Sequence, residues 1–299
     1  MDVDLLWSFL TNVVLTPWGL GILGLCVGSF LNVVIHRMPK MMEQQWQAEA
    51  RSVLNLPEAE PASSAGQGAE GTASLSLSKP ASHCPACGHA IRWYHNIPVL
   101  SWLALRGKCS SCGTRISLRY PFIELATAAL FAACAWRFGN QPTTLLWCGF
   151  VAALVAASVI DWDTTILPDD ITLPLLWAGL VAAGLGWNLP LNEALWGAVA
   201  GYLSLWSVYW LFKLTTGKEG MGYGDFKLLA ALGAWLGWQM ILPIVLGSSI
   251  IGAVIGIGMK LSSQLREGVY VPYGPFLAGA GLVVALAGSA RVLGWLGWA

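Results

Sequence analysis

Charge is what this sequence has least of. Only 11% of its 299 residues are Asp, Glu, Lys or Arg, less than half of the roughly 25% usual in soluble domains, and 56% are hydrophobic. That composition excludes an ordinary soluble globular domain. The formal net charge is zero, so the overall balance points to no class of charged partner, and no nucleic-acid partner is expected. Also missing is a basic N-terminal stretch leading into a small-residue cleavage site. Asp2 and Asp4 come first, and the apolar run that follows is glycine-rich. It is therefore expected to be a retained span with its N-terminus outside, not a removed signal.

Long apolar runs are plentiful. They occupy 17–35, 122–136, 144–160, 171–187, 194–212, 228–238, 241–259 and 276–290. Set against the about 20 residues that cross a bilayer, they predict an all-α polytopic membrane protein of about eight transmembrane helices. The run at 228–238 is the shortest, and its 11 residues fall short of about 30 Å of hydrocarbon without its neighbours or a thinner surrounding. With eight spans, the segments 36–121, 161–170, 213–227 and 260–275 share one side and carry 14 of the 16 basic residues, leaving Arg137 and Arg291 opposite. Such a bias marks the cytoplasmic side and puts both termini in the periplasm. Treating 228–259 as one span would carry Lys260 and Arg266 across, so the bias favours two helices there.

The chain thus divides into a first transmembrane helix (1–35), a cytoplasmic segment (36–121) and a transmembrane bundle (122–299). Within the cytoplasmic segment, residues 41–80 are rich in Ala, Ser, Gly, Glu and Pro and contain no aromatic residue after Trp46. They cannot bury enough apolar surface to offset the entropy of ordering, which predicts a disordered insert, entered through a short surface helix over 41–54. Next come two CxxC pairs, Cys84 with Cys87 and Cys109 with Cys112, with 21 residues between them and a glycine, Gly88 or Gly113, after each. Four thiolates in two such knuckles suit tetrahedral Zn²⁺ in a zinc-ribbon-like insert. A reducing cytoplasm argues against disulfides, and a closed four-sulfur set leaves no open position, so the zinc is expected to be structural. Cys26, Cys134 and Cys148 lie inside apolar runs and read as small buried hydrophobes.

Ionisable groups at the ends of spans are costly to retain and are functional candidates by default. One cluster, SVIDWDTTILPDDITLP, holds Asp161, Asp163, Asp169 and Asp170; the other, GMGYGDFK, holds Asp225. Both fall on the same expected side of the membrane. Two carboxylates within reach of each other share one proton, and such a pair can activate water with one member while the other donates to a scissile carbonyl. Gly222 and Gly224 would then let a substrate backbone approach Asp225. The competing reading makes Asp225 a helix cap, and Asp169 or Asp170, after Pro168, the N-cap of the next span.

Six segments taken in order, GSFLNVVIHRMP at 28–39, the cysteine module at 84–112, LRYPFIELATA at 118–128, IDWDTTILPDDITLP at 160–174, GMGYGDFKLLAALGAWLG at 220–237 and VPYGPFLAGAG at 271–281, resemble the type IV prepilin peptidases. These are the bifunctional leader peptidases and N-methyltransferases of bacterial pilus and type II secretion systems. The resemblance implies a GxGD-class aspartic membrane protease of the bacterial inner membrane, with Asp225 and Asp161 as its dyad. Asp163, Asp169 and Asp170 crowd the position of the second member. It also implies prepilins or pseudopilins as substrates, cut at the cytoplasmic face after the glycine that ends a basic leader. Methylation of the new N-terminal residue from S-adenosylmethionine follows. The insert at 41–80 departs from shorter relatives. No Rossmann-type glycine-rich fingerprint is present, so the methyl-donor residues are unassigned, with the first cytoplasmic segment as the place to look. Two other classes compete. An ion-coupled transporter would use the aspartates as a relay, and inverted repeats, which would favour it, are not found. A zinc-ribbon membrane scaffold is the third.

Overall fold

The computed structural model describes residues 10–55, 75–261 and 271–298. Among them every regular element is helical; the β pairing consists of two isolated bridges, His83 with Ala90 and Lys108 with Arg115. In chain order the helices that matter are α1 (Pro17–Val53), α2 (Arg119–Phe138), α3 (Thr144–Thr164), α4 (Asp169–Gly184), α5 (Leu191–Thr216), α6 (Tyr223–Leu236), α7 (Ile241–Leu261), α8 (Gly274–Ala287) and α9 (Ser289–Trp295). All eight apolar runs lie on helices. Five stretches, namely α1, α2, α3, α5 and α7 with the turn before it, are long and apolar enough to cross a membrane. A sixth joins them if α8 and α9, bent by 108° at Gly288, count as one span. The protein is thus a multi-pass membrane protein, while eight full crossings exceed what helix length gives. With 16 residues in α4 and 14 in α6, these helices extend about 24 and 21 Å; α6 is enclosed by its neighbours, whereas α4 buries one face and exposes Leu173, Trp177 and Val181 on the other.

The chain forms two compact units, residues 1–132 and 133–299, which part within α2. In the first, α1 does not stop at Ile35. Thr16 caps its start, accepting the Gly19 N–H, and the helix runs through Pro39 to Val53, because EQQWQAEARSV is built of good helix formers. The helical stretch expected over 41–54 is therefore a continuation of the first helix, and the disordered insert, where it covers 56–74, lies outside the described residues. The buried Arg37 of α1 donates to the carbonyls of Ser76, Leu77 and Pro80, pinning the chain just ahead of the first cysteine knuckle. Cys134 and Cys148 are buried as expected, whereas Cys26 is exposed on α1.

In the second unit α6 is the central element. Phe226, Leu228, Leu229, Leu232 and Trp235 are all buried, so its apolar surface is continuous around the helix, the mark of an element enclosed by others. It packs on α5, α4 and α8. Trp235 Nε1 donates to the Leu175 carbonyl of α4 at 2.8 Å, and Asn188 donates to the Trp235 carbonyl at 2.9 Å, so the polar groups at the far end of α6 are partnered. Gly237, with φ 86°, ends α6, and the turn Trp238–Met240 leads into α7, so 228–259 is divided between two helices.

The crossing of α5 and α6 is backbone against backbone at Gly197 and Gly233. A Cβ on either would strike the other's carbonyl, and the peptide cannot move aside as a side chain could. Gly197→Ala and Gly233→Ala are each expected to destabilise the bundle by about 1–3 kcal/mol, as overpacking does. Gly184→Ala, which meets open space at the end of α4, should be neutral or slightly stabilising. Apparent Tm in detergent measures the contrast.

Candidate active site and metal centre

The two acidic clusters meet at one end of the second unit. Asp161 lies in the last turn of α3, with only 5% of its surface exposed, and Asp225 lies in the first turn of α6, with 8% exposed. The two are near enough for the charge of Asp161 to act on Asp225. Their neighbours are set apart from them. Asp163, Asp169 and Asp170 are exposed, and Asp169 is held by Lys227 Nζ at 2.7 and 2.6 Å. Neither Asp169 nor Asp170 is the N-cap of α4: Pro168 holds that position and both acids occupy the first turn. Nor is Asp225 a cap residue, since Gly222 caps α6.

Around the pair, the backbone approaches unusually closely. Thr165, in left-handed conformation at φ 56°, ends α3 and turns the chain so that Leu167 falls between two glycines. A Cβ on Gly224 would lie 2.7 Å from Leu167 Cβ, and one on Gly274 would lie 3.0 Å from Leu167 Cδ1 and 2.5 Å from Asp161 Oδ2. The space beside Gly224 is thus filled by the protein's own Leu167. Gly222 is different: its φ is −82° and a Cβ there meets nothing within 4 Å. The N–H of Gly274, first residue of α8, donates to Asp161 Oδ2 at 3.1 Å, where a helix N-terminus favours negative charge.

Gly274, Leu167 and Lys227 were not singled out from the sequence. The Tyr-Gly-Pro start of α8 is a readable helix-start signal, but its meeting with Asp161 spans 113 residues and has no local signature.

The candidate metal centre lies in the first unit. The sulfurs of Cys84, Cys87, Cys109 and Cys112 all fall within 4.8 Å of one another, and Cys84 Sγ is 3.9 Å from Cys112 Sγ. A tetrahedral ion with Zn–S of about 2.3 Å needs sulfurs about 3.8 Å apart, so the set fits zinc. The two knuckles repeat one pattern. Cys84 N–H donates to His89 O and Gly88 N–H to Cys84 O; Cys109 N–H donates to Thr114 O and Gly113 N–H to Cys109 O, all at 2.8–3.0 Å. Gly88 and Gly113, with φ 68° and 71°, take the left-handed turn that closes each.

Thr114, through its hydroxyl and then its peptide N–H, draws the Cys112 thiol down to about 6, and the N–H groups of Cys112 and Ser111 lower Cys109. At Cys87 the His89 N–H works in the same sense, but desolvation and the three neighbouring thiols outweigh it and push the group up to about 11. A divalent cation removes that competition by displacing the protons. About one zinc per chain is expected by elemental analysis of protein prepared without chelators. Cys84→Ser and Cys109→Ser should each lower it severalfold, and an intact metal content in both variants would contradict the four-sulfur site.

A model of the bacterial peptidase A24 N-terminal domain matches residues 22–138, and a model of the type IV leader peptidase family matches residues 148–257. Among curated proteins, the chain is 52% identical over 283 residues to a prepilin leader peptidase/N-methyltransferase of Stutzerimonas stutzeri, covering 93% of each. A protein of the same name from Pseudomonas aeruginosa is 53% identical over 273 residues, 90% of this chain and 89% of that one. One from Burkholderia pseudomallei is 48% identical over 268 residues, 90% and 84%. No solved structure matches the chain.

Proposed function

The chain belongs to the type IV leader peptidase family, and we propose that it removes the leader from type IV prepilins or type II secretion pseudopilins with Asp161 and Asp225 as its catalytic dyad. The observation that carries this reading is the pairing of two buried carboxylates drawn from α3 and α6, while the other acids of the same loop are exposed. A dyad holding one proton needs no metal for peptide hydrolysis. The ionised member takes a proton from water as its oxygen attacks the scissile carbonyl, and the protonated member donates to the carbonyl oxygen. Collapse of the resulting diol returns a proton to the leaving nitrogen and restores the pair. Gly274 N–H holds Asp161 Oδ2 at 3.1 Å and so orients the carboxylate.

The open side of Gly222 is where an extended substrate backbone would pass the pair. In this reading the cut follows the glycine that ends the leader. The site and the cysteine module lie at the cytoplasmic face of the inner membrane, with both termini periplasmic, in keeping with the distribution of basic residues. Zn²⁺, held by the four cysteines, organises the module and takes no part in the cleavage. The relatives' names support a second activity, N-methylation of the new N-terminus with S-adenosylmethionine as donor. No residue is assigned to the donor: the cavity beside the second knuckle presents Arg106, Lys108 and Arg115, a poor match for a sulfonium cation.

Cleavage of a prepilin by purified protein, followed by mass spectrometry, tests the dyad. Asp161→Asn and Asp225→Asn keep the shape but cannot exchange the shared proton, and each should slow cleavage at least about 100-fold with normal membrane abundance. Asp163→Asn should cleave at close to the wild-type rate. Full activity in either dyad variant would overturn the mechanism.

The glycines make a separate prediction. Gly224→Ala should drive Leu167 toward Gly274 and Asp161 and lower cleavage by more than any loss of folded protein explains, and Leu167→Ala in the same chain should restore part of it. Gly222→Ala should fold normally, so a lowered rate there reports obstruction of the substrate. A wild-type rate in Gly222→Ala would place the substrate path on another side of Asp225.

A further inference from the structure

The segment between the cysteine knuckles has a surface that neither the dyad nor the zinc explains. From residue 71 to residue 123 the chain contains no Asp or Glu, yet it carries Lys79, Arg92, Arg106, Lys108, Arg115 and Arg119. Four thiolates around a divalent ion amount to two negative charges, too few to balance these six. Apolar side chains stand out beside the cations: Trp93 is 81% exposed, Leu100 65%, Leu103 58% and Leu118 68%. In a soluble module such a surface is a binding site.

Its position in the chain says what covers it. Leu118 immediately precedes α2, a helix of membrane-spanning length, and Phe122 in the first turn of α2 is itself 71% exposed, so the apolar surface runs on into one that lies in lipid. The helical turn Leu100–Ala104 is tied to that same helix, because the buried Glu124 of α2 accepts the Val99 N–H at 2.7 Å. Beside it lies a cavity of about 330 Å³ lined by Trp102, Arg106, Lys108, Arg115 and Ile116. The cavity is fixed by the Trp102 indole, which donates to Ile116 O at 3.3 Å, and by Ile116 N–H, which donates to Gly107 O at 2.7 Å.

We infer that residues 91–119 dock on the surface of the bilayer, with Trp93, Leu100 and Leu103 entering the interface and the cavity cations holding the phosphates of anionic lipids. Indole and leucine side chains belong at that depth, and each basic residue near an anionic surface contributes about fivefold in affinity. A basic leader peptide is repelled by this surface, and a soluble acidic partner would not account for the apolar residues leading into α2.

Hydrogen exchange of the full-length protein, one chain per nanodisc, tests the inference. Amides of 97–105 should exchange at least about tenfold more slowly in discs containing 30% phosphatidylglycerol than in phosphatidylcholine alone, with the difference shrinking in high salt. Arg106→Gln, Lys108→Gln and Arg115→Gln combined should abolish the difference while zinc content stays normal. If that variant loses zinc, Leu100→Ser with Leu103→Ser, remote from the sulfurs, should abolish it instead. Equal exchange in the two lipids overturns the proposal. So does protection reproduced in phosphatidylcholine discs by inorganic phosphate, which would make the cavity a site for soluble anions.

Discussion

A carboxylate withdrawn from water in an apolar bundle has to be met by dipoles, hydrogen bonds or a shared proton, or it destabilises the structure that holds it. The second unit is arranged around two of them. The N-terminus of α8 ends against Asp161 and supplies its first N–H to the carboxylate. The N-terminus of α6 carries Asp225 in its own first turn, so that two helix dipoles favour negative charge at the same spot. Those helices can start there only because Gly224, in the first turn of α6, and Gly274, first residue of α8, carry no side chain. The chain leaving α3 has to pass with Leu167 between Gly224 and Gly274, and any larger residue would separate the acids. Outside this ring the ion pair of Asp169 with Lys227 joins the start of α4 to α6. Because it is partly exposed, it contributes modestly to stability and acts chiefly by holding the two acid-bearing segments in register.

The first unit is organised by a different economy of polar groups. Its anchors are side chains that satisfy loop carbonyls and N–H groups: Arg37 on the chain ahead of the first knuckle and Glu124 on the Val99 peptide. Val99 is held at φ 58°, an uncommon conformation for a β-branched residue, and the Glu124 contact is what fixes it there. The knuckles are closed by local peptide hydrogen bonds, and the four sulfurs are gathered without help from a large apolar core. Metal binding and folding are coupled in small modules of this kind.

Much of this was legible from residue spacing alone. The two CxxC pairs specified four converging sulfurs, and each apolar run marked helical sequence, because both signals are local, although only five or six stretches are long and apolar enough to cross a membrane. Asp225 stood out as a carboxylate at the mouth of an apolar helix. What escaped notice was long-range or depended on helix propensity in polar sequence. Hydrophobicity falls after Ile35, yet α1 continues through Pro39 to Val53, since Glu, Gln and Ala favour helix in the polar stretch that follows. The packing of Leu167 against Gly224, beside the open space at Gly222, also joins segments far apart in the chain. The burial that sets Asp161 apart from the exposed Asp163, Asp169 and Asp170 is something no spacing rule supplies. The apparent deficit in crossings is a matter of length: α4 and α6, at 16 and 14 residues, are shorter than the about 20 residues that cross a bilayer.

The N–H that meets Asp161 lies 113 residues further along the chain. At translation rates of about 5–20 residues per second, roughly 6 to 23 s separate the emergence of the first carboxylate from that of its hydrogen-bond donor. Throughout that interval α8 does not exist, so a growing chain has its two acids before it has the environment that sets them. The surroundings of the carboxylates are therefore completed late, a form of timing written into the order of the helices.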